Sequence, residues 1–212
     1  MGAVEVEAEK RRAAEAAARL VEAGMTVGLG TGSTVAYLLP ALAARRLELR
    51  CVATSARTEM EGVALGLRVE PFSALDSLDR LDLAIDGADQ VDTAGWLLKG
   101  GGGAQVREKI VAAASDRFVV IVSSDKQVAR IAAPVPLELL SFGLAATLRE
   151  LGAARVRPGA APSPDGGVIA DWMDPFDDPV ALSVYLDAVP GVVGHGLFPP
   201  TMVSGVIVGG PE

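Results

Sequence analysis

Short apolar runs and longer helical periodicities take turns along the first half of the chain. Residues 25–29, 50–54, 68–72, 81–85 and 117–122 are short and mostly apolar, and read as strands. Residues 3–23, 35–46, 57–66 and 103–115 are built from helix formers, and Gly24 is placed to end the first of these helices. Alternation of this kind predicts a mostly parallel sheet with helices on its faces. Ligands of such open sheets collect beyond the carboxyl ends of the strands. The turns at 30–34, 86–89 and 123–126 each follow a predicted strand, so they are expected to converge on one crevice.

After Lys126 the pattern changes. Residues 135–139 read as a strand, 142–151 as a helix, 154–157 and 168–172 as two strands, 180–188 as a helix and 192–198 as a strand. The order βαββαβ is that of a ferredoxin-like domain. The β-branched run at 202–208 is expected to return to the first sheet. The predicted organisation is therefore α/β: a Rossmann-like, mostly parallel sheet domain (1–127 plus 201–212) with a smaller ferredoxin-like α+β domain (128–200).

Composition narrows the setting. Half of the 212 residues are apolar, enough for a sizeable core. No apolar run approaches the roughly 20 residues that span a bilayer, and the charged N-terminus lacks the apolar centre of a signal peptide, so a cytoplasmic protein with no membrane partner is expected. The single cysteine, Cys51, lies in an apolar run and reads as a buried structural thiol. A net charge of -8 with no basic stripe argues against a nucleic-acid partner. A small anionic substrate would then be held by local devices: helix N-termini, bare amides and single lysines.

Those devices are visible. Gly28, Gly30 and Gly32 alternate with Leu29, Thr31, Ser33 and Thr34 between a strand and a helix, offering unpaired amides and hydroxyls to a phosphate. The turn departs from the dinucleotide fingerprint, because Ser33 stands where the third glycine belongs, and no Walker lysine follows. Asp86, Gly87, Ala88 and Asp89 form an acidic turn suited to sugar hydroxyls. Lys99 introduces Gly100, Gly101, Gly102 and Gly103, where an ammonium and bare amides can stabilise an oxyanion. Glu108 sits early in the helix that leaves this loop, and Lys126 follows a strand beside the inferred crevice. His195 reads as structural or interfacial. No metal-ligand spacing is present, so no metal is expected.

In this order and combination, and with Arg107, Lys109, residues 190–193 and residues 195–198, the chain resembles the type A family of ribose-5-phosphate isomerase over essentially its whole length. The resemblance implies reversible aldose–ketose isomerisation of D-ribose 5-phosphate and D-ribulose 5-phosphate in the non-oxidative pentose phosphate pathway. It implies no metal or nucleotide cofactor, and a homodimer or higher homo-oligomer. Carried over residue by residue, it places substrate binding on Thr31, Gly32, Ser33, Thr34, Asp86, Gly87, Ala88, Asp89, Lys99, Gly100, Gly101, Gly102 and Lys126. The proton acceptor falls on Glu108. Two positions depart from the family: Gly103 stands where alanine is common, and Gly194 where glutamate is common.

The chemistry expected of these residues is coherent. One carboxylate, Glu108, shuttles a proton between neighbouring carbons through an enediolate. Lys99 and the loop amides hold the oxyanion, while Asp86 and Asp89 orient hydroxyls and assist ring opening. The competing readings are a dinucleotide-dependent enzyme using the turn at 28–34 and a non-catalytic sugar-phosphate-sensing domain.

Overall fold

The computed structural model describes residues 2–73 and 77–210. The chain falls into two compact units, one of residues 1–88, 108–127 and 201–212, the other of residues 89–107 and 128–200.

The first unit is built on five parallel strands in the order Gly205–Val208, Phe118–Val122, Leu83–Asp86, Thr26–Leu29 and Arg50–Ala53. The strand Phe118–Val122 is buried at every position, which explains its unbroken apolar sequence: a parallel strand covered on both faces needs no polar alternation. The run at 202–208 returns to this sheet as expected, after a turn of 3-10 helix at Pro200–Met202. Helix Ala3–Ala18 buries Ala13, Ala14, Ala17 and Ala18 in the same core as Val35, Leu38, Leu39 and Leu42 of helix Val35–Ala44. Alanine on that face lets the backbone approach its neighbours closely, so larger side chains there would overpack the core.

In the first unit, two elements differ from the sequence reading. The first helix ends at Ala18 rather than near residue 23. The amides of Arg19, Leu20 and Val21 reach back only three residues, and the Arg45 guanidinium takes the Ala18 and Val21 carbonyls, which satisfies the helix end early. Gly24 then turns the chain at φ 85°. The strand expected at 68–72 is reduced to one bridge between Cys51 and Val69, held by the Cys51 amide on the Arg68 carbonyl and the Glu70 amide on the Cys51 carbonyl.

The second unit carries an antiparallel sheet ordered Val192–His195, Val135–Leu139, Val168–Trp172 and Ala154–Val156, with helices Leu144–Leu151 and Pro179–Ala188. This is the ferredoxin-like arrangement read from the sequence. Pro179 opens its helix beneath Asp178, whose carboxylate accepts the Val180 and Ala181 amides at 2.9 and 3.0 Å.

The stretch expected as one strand over 192–198 is two. Val192–His195 pairs with Val135–Leu139, whereas Leu197–Phe198 pairs with Leu97–Leu98 in a separate small sheet. Gly196 makes the break: a Cβ there would lie 2.1 Å from the Lys99 carbonyl oxygen, so the chain passes where only glycine fits. That small sheet also contains Gln90–Asp92, a hairpin partner of Leu97–Leu98 that the sequence reading passed over. Its signal was the turn at 92–95, where the Asp92 carboxylate accepts the amides of Ala94 and Trp96, both at 2.9 Å.

Candidate active site

In the first unit, the turn at 30–34 is organised by Asp86. This carboxylate ends the strand Leu83–Asp86, is buried, and accepts the amides of Thr31 at 2.9 Å and Gly87 at 2.7 Å through Oδ1. Gly30 lies against it so tightly that a Cβ would stand 1.9 Å from Oδ1. The middle glycine of the turn therefore serves the carboxylate next door as well as any ligand. Gly87 and Ala88 follow, half-buried, as the chain leaves the strand.

Two threonines that sequence reasoning missed complete the scaffold. Thr54 shares a hydrogen bond of 2.7 Å with the Thr31 hydroxyl, and Thr58 donates to the Gly30 carbonyl at 2.9 Å. Their signal was a second hydroxyl-rich turn after the neighbouring strand Arg50–Ala53. The Thr31 amide and hydroxyl are thus engaged internally, while Gly32 and Ser33 are exposed. Among the described residues, none accepts a hydrogen bond from the amides of Ser33 and Thr34, which open the helix Val35–Ala44. An anion is favoured at such a helix end.

Lys126 ends a single turn of 3-10 helix, Ser124–Lys126, beyond the carboxyl end of Phe118–Val122. Its Nζ lies 3.9 Å from the Asp125 carboxylate. The turn is pinned by Glu9, a buried carboxylate accepting the Ser124 amide at 2.6 Å and its hydroxyl at 2.8 Å. Glu9 was legible only as a lone carboxylate on the alanine face of the first helix. Glu108 lies in the first turn of helix Gln105–Ala113 and is only 6 % exposed, unlike a solvated surface glutamate. Asp82 stands at the opposite end of the strand Leu83–Asp86 from Asp86: its carboxylate accepts the Thr26 amide and hydroxyl, and those hydrogen bonds hold it below the usual aspartate range.

In the second unit, Lys99 is 2 % exposed, donates its amide to Gly196 at 2.9 Å, and holds its Nζ 5.5 Å from the centre of the Phe198 ring. The glycine loop that follows is more committed than its sequence suggested. Asp89 accepts the Gly101 amide at 2.7 Å, and the Gly103 amide closes on the Gly100 carbonyl at 3.0 Å. No described residue accepts the Gly102 amide, and Gly102 itself is exposed. Arg157, absent from the sequence reading, donates to the carbonyls of Gly100 and Gly101 at 3.2 and 2.9 Å. It stands 56 residues from Gly101, so no local pattern announced it.

Both departures from the family pattern have a local reason. Gly103 adopts φ 76°, which an alanine adopts only under strain. At Gly194 a Cβ would meet Val106 at 3.0 Å, so a larger residue requires Val106 to shift. Arg107, beside Glu108 in the helix, forms a two-pronged pair with Asp165 at 2.7 and 2.8 Å. His195 is buried, its Nδ1 accepting the Leu197 amide and its Nε2 lying 3.2 Å from the Asp187 carboxylate, contacts that serve the strand. Among the described residues, no group of three or more His, Cys, Asp or Glu is placed to hold a metal ion, and no helix is long and apolar enough to cross a membrane.

Comparison with known proteins gives a consistent result. The family model described as ribose 5-phosphate isomerase A (phosphoriboisomerase A) matches residues 50–212. Ribose-5-phosphate isomerase A of Roseiflexus castenholzii is 42 % identical over 96 % of this chain and 92 % of its own length. The crystal structure of ribose 5 phosphate isomerase A from Neisseria gonorrhoeae superposes with a TM-score of 0.89 at 32 % identity, covering 96 % of this chain and 92 % of that one. A D-ribose-5-phosphate isomerase in complex with phospho-erythronic acid does so with a TM-score of 0.88 at 31 % identity, covering 99 % and 96 %.

Proposed function

The chain belongs to the ribose 5-phosphate isomerase A family, and from that premise we propose that it interconverts D-ribose 5-phosphate and D-ribulose 5-phosphate with Glu108 as the proton carrier. The observation that supports this role most is the burial of Glu108 in the first turn of the helix leaving the lysine–glycine loop. A carboxylate is rarely withdrawn from water unless its charge is used or compensated.

The reaction moves a carbonyl from C1 to C2. Glu108 takes the proton from C2 of the open-chain aldose and returns it to C1, while a proton passes from O2 to O1, so no atom is gained or lost. Negative charge develops on oxygen in the enediolate between these steps. Lys99, and the amide of Gly102, are the donors suited to it, being fixed before the charge appears. Asp86 and Asp89 would contact sugar hydroxyls and assist ring opening; each is held in place by the amides it accepts. The amides of Gly32, Ser33 and Thr34, with Lys126, would anchor the phosphate and supply binding energy remote from the reacting carbons.

We read the protein as a cytoplasmic homo-oligomer. A chain whose single cysteine, Cys51, is buried and free supports the first part, and the exposed apolar side chains of Leu140, Phe142 and Val184 support the second. The activity is tested by incubating the purified chain with ribose 5-phosphate, with and without EDTA, and measuring ketose. Metal-independent ketose formation supports the proposal. Absence of ketose favours the sugar-phosphate-sensing reading.

A further inference from the structure

Two consecutive peptide planes of the glycine loop share one cation. Arg157 Nη1 donates to the Gly100 oxygen at 3.2 Å and to the Gly101 oxygen at 2.9 Å. Its other nitrogens, Nε and Nη2, are clamped by the Asp171 carboxylate at 2.8 and 2.6 Å, so the guanidinium is fixed on both sides. In a trans peptide the N–H points away from the C=O. The plane between Gly100 and Gly101 therefore offers its N–H on the far side from Arg157, where Asp89 accepts it at 2.7 Å. The plane between Gly101 and Gly102 does the same with the Gly102 N–H, which no described residue accepts and which belongs to an exposed glycine.

We propose that Arg157 is a positioning residue for the isomerase: by holding the Gly100 and Gly101 carbonyls it aims the Gly102 amide outward as the loop's donor to an anionic oxygen of the ligand. A cation on the carbonyl end also polarises the peptide, making its N–H a stronger donor. Asp89 occupies the parallel donor, so of the two planes that Arg157 grips only one presents its amide. Lysine does not reproduce this role, since a single ammonium cannot donate to two carbonyls while also donating a fork of hydrogen bonds to Asp171. This inference rests on the isomerase reading of the same loop.

The test compares Arg157→Lys and Arg157→Ala with the parent. Parental turnover of ribose 5-phosphate is measured first; its absence would count against the isomerase reading itself, independently of Arg157. Given that activity, kcat is expected to fall by roughly 10²-fold in both variants, as misplacement of a donor by about 1 Å does, with KM near parental and unfolding temperatures close to the parent's. Millimolar guanidinium should restore the alanine variant in a saturable manner, and urea should not. In the parent, phospho-erythronic acid should move the Gly102 amide resonance downfield, and Arg157→Lys should lose that shift. Parental kcat in a folded lysine variant overturns the proposal, whatever the alanine variant does. So does a Gly102 resonance that responds equally in parent and lysine variant.

Discussion

Asp89 accepts the Gly101 amide at 2.7 Å, so a carboxylate suited to sugar hydroxyls is also the brace of the glycine loop. A hydrogen bond to a charged group is worth about 1.5–3 kcal/mol. Asp89→Asn keeps an acceptor in place and should retain more turnover than Asp89→Ala, which loses both the brace and the proposed hydroxyl contact. Steady-state kinetics on the two variants check this. Equal kcat in both would separate Asp89 from the loop.

Gly30 has no room for a methyl group beside Asp86. Gly30→Ala must push the carboxylate off the Thr31 amide, a forced overpacking that costs about 1–3 kcal/mol or more. Urea unfolding should show that loss, together with a fall in turnover. A variant with parental stability and turnover would mean that the turn yields easily.

Gln105 is fully buried against Gly100, and neither its amide nitrogen nor its oxygen has a hydrogen-bond partner among the described residues. Burying an unsatisfied amide costs about 1–3 kcal/mol. Gln105→Leu, similar in volume and free of polar atoms, should therefore raise the unfolding free energy by about that amount. Denaturant titration measures it, and a destabilised variant would show that the amide is satisfied in solution.

The Cys51 thiol is pushed up to about 12, first by desolvation and then by the charge of Glu70. The unfolded thiol ionises near 9. Between these values the folded chain keeps a proton that the unfolded chain loses. Stability contributed below pH 9 is thus lost as the pH rises toward 12, at up to about 1.4 kcal/mol per pH unit. Cys51→Ala should flatten the decline between pH 9 and 11, and a thiol reagent should label the parent only after unfolding. An identical pH slope in parent and variant contradicts this.

The parallel sheet was legible because its strands are buried on both faces and read as continuous apolar runs, with Phe118–Val122 the plainest case. The turns at Asp86 and Lys99 were legible because carboxylate, ammonium and glycine are conspicuous at strand ends. Less was visible where a long-range contact decides the local structure. Gly196 breaks a strand because of the Lys99 carbonyl, and Arg45 ends the first helix from another element. Arg157 acts on glycines far away in sequence, and Thr54 and Thr58 matter only because their strand lies beside the first turn. Local propensity carries none of these relationships.

Glu108→Gln tests the central claim most directly, because it removes the carboxylate proposed to accept the proton while preserving its size and burial. The variant should bind ribose 5-phosphate with near-parental affinity, yet convert it roughly 10²–10⁴-fold more slowly and exchange the C2 hydrogen with solvent correspondingly slowly. Isomerisation at the parental rate would contradict the account.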